Sequence, residues 1–207
     1  MSFPLIFAAA AAAALLAPLP IARSLPGTQD YPTNALERKI SAAALVELVI
    51  SPRGKVENCT LLASRGDEKL AATMCGLMKN RKWAAAIGPD RLPAYGVVRT
   101  LLRFFIPDTA IGDQIGAMAQ RPDIELAVNR LPITGVKSFD VKVSLLVDRN
   151  GSVVACEPRI TPAAQRQFAI LGCEQAKKIQ VTAPTVTGAP LSTFVIEQNI
   201  RFVQQVP

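Results

Sequence analysis

The sequence predicts an α+β fold: two small β-β-α-β domains, each a three-stranded antiparallel sheet covered by one helix. Three observations predict it. The chain repeats itself at a spacing of about 97 residues, each copy carries alternating apolar residues around a glycine turn, and behind each hairpin lies an apolar stripe at helical spacing.

Val46-Glu47-Leu48-Val49-Ile50-Ser51-Pro52-Arg53-Gly54-Lys55-Val56 is echoed by Val143-Ser144-Leu145-Leu146-Val147-Asp148-Arg149-Asn150-Gly151-Ser152-Val153. Gly151 follows Gly54, and Cys156 follows Cys59, by 97 residues; Cys173 follows Cys75, and Arg201-Phe202 follows Arg103-Phe104, by 98. Two copies of one unit are implied, over residues 30–106 and 129–204, joined by a linker with a short helix over 107–128.

In each copy a strand comes first. Ala44, Val46, Leu48 and Ile50, and likewise Val141, Val143, Leu145 and Val147, put one face of that strand on a core. A Pro-Arg-Gly or Arg-Asn-Gly turn leads into a second strand, Val56–Leu62 or Val153–Pro158, closing a hairpin. A helix follows, with Asp67 as the expected N-cap in the first copy and Thr161 before Pro162 in the second. Leu70, Ala71, Met74, Cys75, Leu77 and Met78 share one arc of the first helix; Phe168, Ala169, Gly172, Cys173 and Ala176 share one arc of the second. After loops rich in Pro and Gly, the last strands run over Val97–Ile106 and Thr193–Val203. In the linker, Ile111, Ile115 and Met118 lie at helical spacing.

Composition narrows the function. Half of the 207 residues are hydrophobic and 19% are charged, which fits a folded chain. There is no histidine, so Ser-His-Asp and Cys-His nucleophiles and His-ligated zinc are ruled out, and no enzyme, metal or cofactor is expected. The net charge of +7 is spread along the chain with only 5% aromatic residues, so no nucleic-acid partner is expected. That charge suits peripheral contact with an anionic membrane face.

From Phe3 to Ala22 the chain is uncharged and Ala-rich. Residues 1–22 therefore read as a signal peptide, with cleavage after Ala17 or Ala22, or as an apolar anchor retained in the inner membrane. Either way the bulk of the chain is expected outside the cytoplasm. The four cysteines allow three pairings. The repeat singles out Cys59–Cys75 and Cys156–Cys173, each tying a second strand to its helix, a staple of roughly 3 kcal/mol. Buried free thiols and a redox pair are the alternatives, although no C-x-x-C is present.

Asp30-Tyr31-Pro32, Ala35, Ile40, the strand Val46–Ile50 with its Ser51–Val56 turn, Asn80-Arg81-Lys82-Trp83 and Leu101-Leu102-Arg103-Phe104-Phe105-Ile106 together resemble the C-terminal domain of TonB. The second copy resembles it in degenerate form, with Leu131-Pro132 standing for Tyr-Pro and Val181 for Trp83. The resemblance implies a periplasmic module, linked to transmembrane transport, that binds a TonB-box-like segment of an outer-membrane transporter by adding it as a strand to an exposed sheet edge. It places Asp30, Tyr31 and Pro32 against the partner. The edge is expected to be the strand carrying Val97, Arg99, Leu101, Arg103 and Phe105, although Arg99 and Arg103 equally suit a blunted edge. Trp83 and Tyr31 read either as a ligand surface or as core caps. Family members that transduce energy carry a long Pro-rich spacer, whereas only eight residues, Arg23–Asp30, separate the apolar tract from Tyr31 here. Such a segment reaches under ~30 Å. A membrane-anchored transducer and a structural or regulatory envelope protein are the competing readings.

Overall fold

The computed structural model describes residues 15–159 and 162–205. The first half comprises β1 (Leu19–Pro20), α1 (Thr33–Glu37), β2 (Ala42–Ile50), β3 (Val56–Gly66), α2 (Glu68–Lys79), three short strands β4 (Trp83–Ala84), β5 (Ala86–Ile87) and β6 (Pro93–Ala94), and β7 (Gly96–Phe104). A connection with α3 (Ala110–Gly116) and β8 (Ile124–Val128) leads to β9 (Ser138–Asp148), β10 (Val153–Pro158), α4 (Arg166–Ala176), the small pair β11 (Thr185–Val186) and β12 (Ala189–Pro190), and β13 (Thr193–Gln204).

Each hairpin forms where alternation and turn chemistry require it. Gly54 and Gly151 take φ of 73° and 83°, and the carbonyls of the same two residues accept from Trp83 N and Val181 N at 2.9 and 2.8 Å. A Cβ there would stand 2.1 Å from the Trp83 carbonyl oxygen and 2.0 Å from that of Val181, so the close approach as well as the φ demands glycine. The register shifts once between Val56 and Asn58 and once between Val153 and Ala155, leaving Glu57 and Val154 as the extra residues of two bulges. Asp67 caps α2 as expected, its Oδ1 accepting from Leu70 N at 2.8 Å. The second helix starts later than expected: a 3-10 turn over Ala163–Gln165 precedes α4, while Thr161 lies outside the described residues.

The expected separate sheets are instead one. The strand order is β10-β9-β13-β7-β2-β3, with β8 also on β13, making seven strands. Both β3 and β7 pair antiparallel with β2, as β10 and β13 do with β9. The halves join where β13 meets β7 in parallel, Val195 opposite Gly96 and Ile196 opposite Val97. Beyond this seam the two strands part, and β13 takes β8 as its neighbour from Ile200 to Gln204.

Parallel register puts Val97 and Ile196 on the same face, and both belong to the core beneath α4, with Val49, Val143, Leu145 and Phe202. Residues of opposite parity, Val46, Leu48, Ile50, Leu102 and Phe104, build the other main core beneath α2, with Met74, Met78 and Trp83. The two helices consequently cover opposite faces of the shared sheet.

A third cluster changes the reading of the N-terminal tract. Leu15 is 3% exposed and Ala17 2%, packed with Ala86 and Val195. Leu16 and Ile87 exchange backbone bonds of 3.1 and 2.8 Å, and β1 pairs antiparallel with β4. Pro18 sits over Gly96, where a Cβ would come within 2.2 Å of its Cγ. The expectation that everything up to Ala22 stands apart from the fold is thereby corrected: Leu15–Pro20 is an extended segment that crosses the seam and buries apolar surface there. Residues 3–14 of the tract lie outside the described residues.

Candidate partner-binding surface

The segment expected to meet a partner is bound into its own domain. Asp30 accepts from the Gly27 N–H at 2.8 Å and pairs with Arg81, just beyond α2. The Gly27 N–H, followed by Arg81, holds its carboxyl below the usual range against an opposing desolvation. Tyr31 donates its hydroxyl to the Ile40 carbonyl at 2.5 Å and lays its ring 4.8 Å from that of Phe104; burial pushes its phenol up. Pro32 precedes α1, and its carbonyl accepts from Ala35 and Leu36 N–H at 3.0 and 2.9 Å. Trp83 is 4% exposed and belongs to the α2 core, which makes it a core cap.

The expectation that Val97–Ile106 is a free edge is corrected at its start, where β13 lies beside it, and at the Arg99 carbonyl. Val97 is flanked by Val49 on β2 and by Ile196 on β13. The Arg99 carbonyl accepts from Gln120 Nε2 at 3.0 Å, and its guanidinium pairs with Glu47 at 2.9 Å and Asp123 at 3.9 Å. Arg103 reaches the Gly116 and Met118 carbonyls at 2.9 and 2.7 Å. Phe105 is exposed, with its ring beside Gly116, and Leu101 is half-buried. The physical reason is that β13 fills the start of this rim at Gly96 and Val97 and Gln120 takes the Arg99 carbonyl, so part of what an isolated three-stranded sheet would leave open is occupied by the chain itself.

Open rims lie at the two ends of the sheet. Among the described residues β3 pairs only with β2 and β10 only with β9. β3 is the longer, at eleven residues against six, and Leu61 and Leu62 are exposed on it. A second register shift makes Leu62 the extra residue of a bulge. Both hairpins are braced as the repeat foretold, by Cys59–Cys75 from β3 to α2 and Cys156–Cys173 from β10 to α4, with Cα separations of 5.6 and 5.5 Å.

On the face that carries the N-terminal segment, a cleft of about 760 Å³ lies between the halves, walled by Pro18, Trp83, Arg99, Asp123, Lys142 and Asn199 among others. Its charges are largely paired: Lys142 with Glu197 at 2.6 Å, Arg159 with Glu197, and Arg201 with Asp140 at 2.8 Å. The Arg201 guanidinium holds the Asp140 carboxyl down, whereas burial pushes that of Asp123 up. Trp83 Nε1 and Asn199 Oδ1 are buried there without a hydrogen-bond partner among the described residues. Among the described residues no three His, Cys, Asp or Glu side chains converge as metal ligands would.

Sequence reasoning missed Ser144, whose Oγ accepts from Ala17 N at 3.2 Å, and Glu157, which accepts from Leu15 N at 2.8 Å. A serine inside the alternating run of β9 was the available signal for the first.

No curated protein and no solved structure matches this chain. Residues 28–94, from just ahead of α1 through β6 and stopping short of β7, match the family described as Gram-negative bacterial TonB protein C-terminal, and over that stretch the chain is similar to that domain.

Proposed function

We propose that this chain is an exported, non-enzymatic TonB-like protein of the cell envelope that serves outer-membrane transport by binding an extended segment of a transporter as an added strand. The match over residues 28–94 supports the family and, through it, an interaction module of the periplasm. The second half is read as a divergent copy, on the strength of its matching strand order, bulge and cysteine bridge.

The observation that carries the binding mode is the outer rim of β3, eleven residues without a described strand beside it, in a domain whose other rim is partly taken by β13 and Gln120. Backbone groups on such a rim pair with any extended chain, and the exposed Leu61 and Leu62 supply side-chain contact. Asp30 and Tyr31 support the domain rather than touch the partner in this reading, with Arg99 and Arg103 holding the connection to the second half.

A photo-cross-linking residue at Leu62 or at Leu101, in cells making the full chain, tests it. Adducts from position 62 that mass spectrometry identifies as an outer-membrane transporter are expected, with none from position 101. Adducts from 101 alone would return the binding site to β7, and a transporter captured by neither position would remove the transport reading.

A further inference from the structure

We propose that the end of the sheet carrying the two glycine turns is a membrane-contact surface, which seats the molecule on a bilayer of anionic phospholipid. The inference goes beyond the transport reading and uses other residues.

Topology brings the surface together. β2 is antiparallel to β7, β7 is parallel to β13, and β13 is antiparallel to β9, so β2 and β9 run the same way. Their turns, 51–55 and 148–152, therefore lie at one end of the shared sheet, three strand spacings or about 14 Å apart. The chain after each helix returns to that end, where Lys82 bridges to Lys55 and Gln180 to Ser152. Arg53, Lys55 and Lys82 in the first half, and Arg149, Lys177 and Lys178 in the second, are all exposed there. Among the described residues only Lys55 of these has a carboxylate partner, Glu57 at 3.8 Å. The Asp148 carboxylate is engaged inside its own turn, accepting from Asn150 and Ser152 N–H at 2.8 and 2.9 Å. At the opposite end, where α2 begins, Asp67, Glu68, Asp108 and Asp113 stand among the cations, so the excess of positive charge gathers at the turns.

Apolar side chains share this end. The β5–β6 hairpin runs into the start of β7, and its connecting loop leaves Leu92 61% exposed. Leu16, bridged to Ile87 of that hairpin, and Ile21, which follows the β1 strand paired with β4, are 43% and 47% exposed. A lysine just past a helix C-terminus answers the macrodipole alone. Arginines in both turns, with leucine and isoleucine exposed at the same end, suit a surface where headgroup phosphates meet the cations and apolar side chains enter the acyl boundary. Seated this way, the strands stand on the bilayer, and the outer rim of β3 rises from it rather than lying against it.

Sedimentation of the purified protein with phosphatidylcholine vesicles, and with vesicles that also contain phosphatidylglycerol, tests this. Binding to the anionic vesicles alone, weakened by added salt, is expected. A cation near such a surface contributes about fivefold to binding, so Lys82→Gln with Lys178→Gln should weaken it roughly 25-fold. Leu92→Ser should weaken it about fivefold. The charge-matched pair Lys69→Gln with Lys137→Gln, at the opposite end, should leave it nearly unchanged. An equal loss from that pair would show net charge acting without a defined surface and would overturn the assignment, as would equal binding to both kinds of vesicle, the sign of insertion by the apolar tract. Leu92→Ser without effect would overturn the apolar contact. Retention on immobilised heparin with no vesicle binding would give the surface to a soluble polyanion instead, and binding to neither would remove it.

Discussion

Removing the first bridge by Cys59→Ala with Cys75→Ala opens a loop of sequence separation 16. In the chain-entropy description, releasing a loop of that size costs about 3 kcal/mol of stability, because the unfolded chain regains conformations that the cross-link had denied it. Both cysteines are half-buried against the α2 core, so lost packing adds little to that figure. For a molecule of this length, about 3 kcal/mol corresponds to a fall of roughly 6–12 °C in Tm. Thermal melts of oxidised wild type and the double variant under identical non-reducing conditions read it directly. The pair Cys156→Ala with Cys173→Ala opens a loop of separation 17 and should cost as much again, with a small excess because Cys173 is buried. Together the two losses approach the whole stability of an ordinary domain, ~5–15 kcal/mol, and the chain without either bridge should be largely unfolded at 37 °C. A shift under a degree for either double variant would refute the bridges as stabilising elements.

Two further perturbations address particular residues. Gly54→Ala or Gly151→Ala should cost at least about 1–2 kcal/mol each in denaturant unfolding, since either residue would need a positive φ and a Cβ some 2 Å from a facing carbonyl oxygen, at 2.1 and 2.0 Å; a neutral result would mean that the two hairpin turns are not held as described. Asp30 ionises more readily in the folded chain than in the unfolded one, so its contribution is fully present above the ordinary carboxylate range and is lost as pH falls through its lowered folded value. Asp30→Asn should therefore cost about 1 kcal/mol near neutrality and leave less of a decline in stability between pH 5 and strong acid than wild type shows, as urea titrations across that range would reveal.

What could be read from the residues was what neighbours in sequence decide. Val46, Leu48 and Ile50 alternate because they line one face, Asp67 caps because the α2 N-terminus leaves donors open, and the two Cys pairs recur because each half needs the same brace. The seam was illegible because two strands of like composition meet over just Val97–Ile196 and Gly96–Val195, too few contacts to leave a pattern. A strand with charged residues at alternate positions looks the same whether its arginines blunt a free rim or, as with Arg99 and Arg103, reach across to Asp123 and the Gly116 carbonyl. Leu15–Pro20 was hidden for a different reason. An apolar stretch beside an Ala tract carries the same signal in a leader as in a segment buried across a sheet, and Gly96, cleared for Pro18, and Ser144, which accepts from Ala17 N, are faint sequence hints of the contact.

The two halves share one sheet, in which β13 occupies the start of the β7 rim and no described strand lies on the outer rim of β3. The Val195 N–H, which crosses the seam to the Tyr95 carbonyl at 2.9 Å, reports on this more directly than any other group. Native-state hydrogen exchange at that amide should be as slow as in the β9–β13 ladder beside it. Exchange at the rate of an exposed loop, with the ladder still protected, would show two independent sheets and return β7 to the surface.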